Sequence, residues 1–247
     1  MASCPPRPGI ERIVSSAKAD AIILTDVVMD DARIPALRAA GVPAALIGIP
    51  ADPADLDCVD LDFAEAGKLC IAHLAELGHR EVAFIGEPDG VYSRRAGFAE
   101  RTLAGIRAGA AAADVGLVHR PCDNSYEAAA GVLVRVLEER PRTTGFIIQN
   151  EAVIPPLMSL LRTAGRVVPE DVSIVALSPG QIAAQALPRL TSVTVPAIEF
   201  GSRAVAALMR RLANGRGGGV ELIPPVLTIG SSTMAARTYS ETRSLAL

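Results

Sequence analysis

The chain has 247 residues, half of them hydrophobic, and a formal net charge of −3. It is long enough for one large domain or two lobes with real cores, and it lacks the overall basic excess that nucleic-acid binding draws on. No apolar run approaches the roughly 18 residues of a membrane span and no charged-then-apolar leader opens the chain, so the expected compartment is the cytoplasm.

The proline-rich stretch 1–9 is expected to be an unstructured leader. Ile10 to Lys18 is a short helix candidate, and Ala21 to Leu24 is a continuous apolar run, as in a strand covered on both faces. A helix is predicted over about Asp30 to Ala40 and a strand over Ala44 to Ile47. A short strand at Val59 to Leu61 leads through Asp62 and Phe63 into a helix that runs to Leu77 and stops at Gly78. Next come a strand at Glu81 to Gly86, a helix over about Ser93 to Ala112, a strand near Gly116 to His119 and a helix over Ser125 to Glu139.

The stretch Pro141 to Pro179 is one βαβ unit. Its strand Gly145 to Ile148 stops at Gln149-Asn150-Glu151, a helix carries Val153, Leu157, Leu160, Leu161 and Ala164 at helical spacing, and a second strand covers Val172 to Leu177. Beyond it lie a short helix to Leu187, an extended Leu190 to Val195, a long helix over Ala197 to Leu212, a glycine loop and a last strand at Leu222 to Gly230. Residues 234–247 are expected to fray. Strand and helix alternate almost throughout, so the class is α/β with parallel sheets.

In such sheets ligands bind at the carboxyl ends of strands, where Asn150 sits. Arg94 and Arg95 open a predicted helix, a place suited to a carboxylate, a phosphate or a hydroxyl-rich ligand, though a surface ion pair is the ordinary role of such residues. Asp62 follows a strand and suits either two ligand hydroxyls or the cap of the next helix. Tyr126 lies at a strand–helix junction in a chain with 3% aromatics, where it either stacks on a ligand or edges the core. His73 and His79 are six apart and do not share a helix face as zinc ligands would. The four cysteines, Cys4, Cys58, Cys70 and Cys122, are widely spaced with no C-x-x-C. Nucleotide-cradling glycine patterns, a G-x-S-x-G elbow and an H-E-x-x-H helix are all missing, so no reaction, cofactor or metal is expected. Gly105-x-x-x-Gly109 marks close helix packing.

Four blocks resemble the effector-binding domain of the LacI/GalR family of transcriptional regulators. They are Asn150-Glu151 with Val168-Pro169-Glu170-Asp171-Val172-Ser173; His73-Leu74 with Leu77-Gly78-His79 before Val82 to Gly86; Arg94-x-x-Gly97-Phe98; and Leu190-Thr191-Ser192-Val193 with Pro196 and Gly201. The resemblance runs from about Ile10 to Thr233. It implies two flavodoxin-like lobes of the periplasmic-binding-protein-like type I, one over 10–74 plus 196–214 and incomplete, the other over 75–192 plus 221–233. Three crossovers would hinge them, with an effector in the cleft.

The resemblance further implies a sugar, nucleoside or small acid as effector, gripped by Arg94, Asn150, Tyr126, Asp62 and Ser178, and a homodimer coupled to operator DNA. Ser178 stands where the family carries an aspartate, which weakens the expectation of a carboxylate at that corner. The family's helix-turn-helix head and first strand–helix–strand have no counterpart, so the strand Ala21 to Leu24 is expected to have an open, apolar edge. A periplasmic-type solute-binding protein and an α/β metabolic enzyme are the alternatives, separable by a leader and by turnover.

Overall fold

A computed structural model describes residues 19–215 and 217–237. The expected leader, the helix candidate Ile10 to Lys18 and the end of the tail lie outside the described residues. In chain order the elements are β1 (Ile22–Leu24), α1 (Arg33–Ala40), β2 (Ala44–Ile47), β3 (Asp57–Leu61), α2 (Phe63–Glu76), β4 (Glu81–Gly86), α3 (Asp89–Ser93), α4 (Gly97–Ala112), β5 (Gly116–Pro121) and α5 (Tyr126–Glu139). There follow β6 (Gly145–Ile148), a 3-10 turn (Glu151–Val153), α6 (Ile154–Thr163), β7 (Ser173–Ser178), α7 (Gly180–Gln185), β8 (Thr191–Thr194), α8 (Ala197–Asn214), β9 (Gly219–Ile223) and β10 (Leu227–Thr228).

Two compact units divide the chain. Among the described residues the first takes 19–62, 93–100, 196–215 and 217–224, and the second takes 63–92, 101–195 and 225–237. In the first, four parallel strands run in the order β1-β2-β3-β9. Leu24, Leu46 and Cys58 face Ile34 and Leu37 of α1. Asp57 and Glu221, which alternate with that face, instead pair with Arg211 and Arg203 of α8. Helix α8 buries Phe200, Ala204, Ala207 and Leu208, one stripe at helical spacing, and stops at Gly215 with φ 63°. Among the described residues β1 pairs with β2 alone, so its outer edge is open there, and Ile23 is 37% exposed.

The second unit has six strands in the order β10-β8-β7-β6-β4-β5. Its central strands β6 and β7 are buried at every position, which is why they read as unbroken apolar runs. Helices α2 and α4 meet at glycines. A Cβ on Gly67 would come within 2.5 Å of the Thr102 carbonyl oxygen, and one on Gly105 would run into the Ala64 backbone. The glycine pair Gly105 and Gly109 therefore marks close packing, as expected.

Four sequence-based boundaries need correction. The strand expected over Leu222 to Gly230 is two strands in two sheets, β9 parallel to β3 and β10 antiparallel to β8. Pro224 and Pro225 intervene, and proline has no amide to continue a ladder. Helix α2, given to the first lobe from sequence, lies in the second unit, and residues 93–100 lie in the first. The helix expected from Ser93 is interrupted until Gly97, because Arg95 adopts φ 57°. Finally, the tail does not fray through Ala236. Ser232 Oγ donates to the Ile174 carbonyl and accepts from the Thr191 amide, Met234 N–H donates to Ser173 Oγ, and Ala236 N–H donates to the Leu77 carbonyl.

Candidate functional site

In the first unit the segment after β1 turns sharply at Asp26, which holds φ 53°. A left-handed conformation costs a non-glycine residue about 1–2 kcal/mol, least for Asp and Asn, and persists only where neighbours over-determine it. Those neighbours are Arg33 and Asp31. The Arg33 guanidinium donates to the carbonyls of Thr25 (3.1 Å) and Asp26 (2.9 Å) and to both oxygens of Asp31 (2.8 and 2.6 Å). Asp31, 7% exposed, also accepts from the amides of Arg33 and Val28.

The same loop is tied to residues 94–96. Val28 bridges Ala96, Met29 N–H donates to the Arg95 carbonyl, and Arg94 Nη1 donates to Asp26 Oδ2 at 2.8 Å. Arg95 reaches Asp30 and Glu100, which hold its guanidinium more firmly protonated than usual. Arg94 therefore stands in the turn before α4, not in the helix's first turn, with its side chain 45% exposed. Asp62 follows β3, half-buried, its amide given to the Ile223 carbonyl.

In the second unit Asn150 follows β6 and is 3% exposed. Its Nδ2 donates to the Cys122 carbonyl and to Asn124 Oδ1, both at 2.7 Å, while its Oδ1 accepts from the Ala152 amide at 3.2 Å. Both of its donors are thus used inside the protein. Asn150 caps the turn that starts α6 and ties down the loop before α5. Tyr126, first residue of α5 after the helix cap Ser125, is 52% exposed. Ser178 ends β7 but is 1% exposed, its hydroxyl turned to the Pro179 carbonyl. Next to Asn150, Gln149 donates to Thr102 Oγ1 at 3.2 Å and leaves its buried Oε1 without a partner.

His119 stacks on Phe84 and meets the Tyr92 hydroxyl at 3.2 Å, in space left by Gly86. Burial, then the charges of Arg107 and Arg120, push its pKa down to about 4, so it is neutral at pH 7. Burial pushes the Cys70 thiol up to about 12 and raises that of Cys122, which leaves neither as a thiolate nucleophile. Among the described residues no three His, Cys, Asp or Glu side chains are grouped to hold a metal ion, and no helix is long and apolar enough to cross a membrane.

Residues 71–233 match the model of the periplasmic binding protein-like domain. The chain belongs to that family. The regulator CelR of Thermobifida fusca is 27% identical over 201 residues, covering 78% of this chain and 57% of CelR. The chain thus spans about half the length of the curated relatives it matches. A solved complex of the regulator CelR with cellobiose superposes with TM-score 0.77 at 25% identity, covering 90% of this chain and 69% of that one. A LacI family transcriptional regulator from Enterococcus faecium with bound ribose, 21% identical, shares the fold with TM-score 0.78, covering 93% and 85%. The resemblance to LacI/GalR-type regulators read from the four blocks is borne out, as is the α/β periplasmic-binding-protein-like fold.

Ahead of the stretch that matches the family model, sequence reasoning missed Asp26 and its Asp31–Arg33 brace. The available signal was a Thr-Asp pair directly after an apolar strand, followed by an acid and a base two residues apart.

Proposed function

We propose that the chain is the effector-sensing part of a LacI/GalR-type transcriptional regulator and works in the cytoplasm. A sugar, nucleoside or small acid is its ligand. Arg94 carries the reading: its guanidinium is half-exposed beside the loop that follows β1, held there by Asp26 on a braced turn. Arg94, Asp62 and Tyr126 are the proposed ligand contacts. Asn150 acts by holding the Asn124 loop, and Ser178, being buried, contributes through the backbone at the end of β7. No residue reacts; binding changes populations of states and so the affinity of DNA heads elsewhere in the full regulator. The test is a thermal-shift screen of sugars, nucleosides and small acids, repeated with Arg94→Gln. A saturable hit weakened about tenfold or more by that change supports the reading. Hits indifferent to it, or turnover of a hit, refute it.

The regulator is proposed to act as a homodimer. In the second unit a groove of about 630 Å³ is lined by Ile154, Pro155, Met158 and Ile182, with Leu187 at its rim 91% exposed. Glu151 lies at the start of this α6 surface and Arg162 and Arg166 at its end. Two copies related by a twofold axis would set acid against base at both ends.

A further inference from the structure

We propose that Asp26 sets the charge class of the effector: it keeps the guanidinium of Arg94 matched, so that the site takes an uncharged, hydroxyl-bearing ligand and turns away anions. This rests on the reading of Arg94 as a ligand contact. A lone arginine at a strand end attracts carboxylates and phosphates. Here the position that such an anion would occupy on Nη1 is filled by Asp26 Oδ2 at 2.8 Å.

The pairing is built, not incidental. Asp26 adopts a backbone conformation that side-chain-bearing residues avoid, and Arg33 holds it there through the carbonyls on either side of the turn, Thr25 and Asp26. Arg33 is itself seated on buried Asp31. The opposite half of the pair is fixed as well, because the Arg95 carbonyl accepts from Met29 and Ala96 bridges Val28. An ordinary surface ion pair has no such backbone support on both partners.

The surrounding charges act in the same direction. The loop cluster carries Asp26, Asp30, Asp31 and Glu100 against Arg33, Arg94 and Arg95, one more acid than base. An anion on Nη1 would have to expel Asp26, and one on the remaining donors would lie beside that carboxylate. Adjacent hydroxyls of a neutral ligand need no such exchange. One can donate to Asp26 while its neighbour accepts from Arg94, with the pair intact.

The deciding variant is Asp26→Asn, which keeps the shape and tolerates the left-handed backbone while removing the charge. The probe is inorganic phosphate, titrated at constant ionic strength and read by thermal shift and calorimetry. Wild type is expected to show no phosphate-dependent stabilisation. Asp26→Asn is expected to gain phosphate binding by about tenfold or more, and the gain should vanish in Asp26→Asn with Arg94→Gln. Asp26→Gly, which relaxes the backbone, serves as a second charge-removing variant should the asparagine protein be poorly folded. Phosphate binding by wild type through Arg94, no gain in either variant, or a gain that survives loss of Arg94 would each overturn the proposal. Ribose and cellobiose, run alongside, separate the two readings. Failure of every sugar, nucleoside and small acid removes the sensor function, whereas the phosphate result alone decides the role of Asp26.

Discussion

Arg33→Ala removes the brace under the candidate site. Four side-chain hydrogen bonds go with the guanidinium, and Asp31 remains as a carboxylate whose side chain is 3% exposed. Stranding a fully buried partner costs about 3–5 kcal/mol; because the Arg33 side chain is 24% exposed, about 2–3 kcal/mol is expected here. The pH dependence gives the sharper test. In the native protein burial works to raise the Asp31 pKa, but hydrogen bonds from the Arg33 side chain and from the amides of Arg33 and Val28 hold it below its ordinary 3.8. That group therefore contributes stability above its unfolded pKa and loses it as pH falls through the lower folded value. Without Arg33 the burial effect is left to dominate, the pKa rises, and the variant's deficit shrinks as Asp31 takes up a proton. Urea unfolding followed by far-ultraviolet circular dichroism, near neutral pH and at about pH 4.5, measures both effects. A deficit within about 0.5 kcal/mol, the scale of unremarkable surface changes, or one that is the same at both pH values, would refute the brace.

Gly105→Ala should destabilise the second unit by about 1–3 kcal/mol, since the added methyl meets the Ala64 backbone and the helices must part; thermal melts of the variant beside Gly90→Ala, where a Cβ meets nothing, are the comparison. His119 is held neutral by burial, so its stabilisation is complete above 6.5 and is lost as pH falls toward about 4. His119→Phe should flatten that part of the stability profile, and an unchanged slope would contradict the assignment. Leu187→Asp should shift the protein from dimer to monomer in light scattering at about 10 μM while leaving its melting temperature within a few degrees, since the side chain is already 91% exposed.

The α/β alternation was legible because the central strands of the second unit are covered on both faces. Residues 145–148 and 173–178 had to be apolar or small throughout, and their short length decided for strand over buried helix. The helix stop at Gly78 was legible for a related reason. It sits at φ 88°, which local chemistry alone makes a glycine position. Arg94 could be singled out as a charged group at a strand–helix junction, but its helical setting could not be judged, because Arg95 has a positive φ without being glycine.

The amino-acid order by itself determined the class of fold and the strand ends that carry polar residues. These follow from periodicity and turn chemistry, which act over a few neighbouring residues. The tertiary structure decided which groups are spent and which are available. Asn150 is consumed by a loop 26 and 28 residues earlier, and Arg94 is met by an aspartate 68 residues before it. The C-terminal stretch is tied to the starts of β7 and β8. Hydrogen-bond partners so far apart in sequence are chosen only when the sheets bring them within 3 Å or so of each other, and no local pattern carries that information.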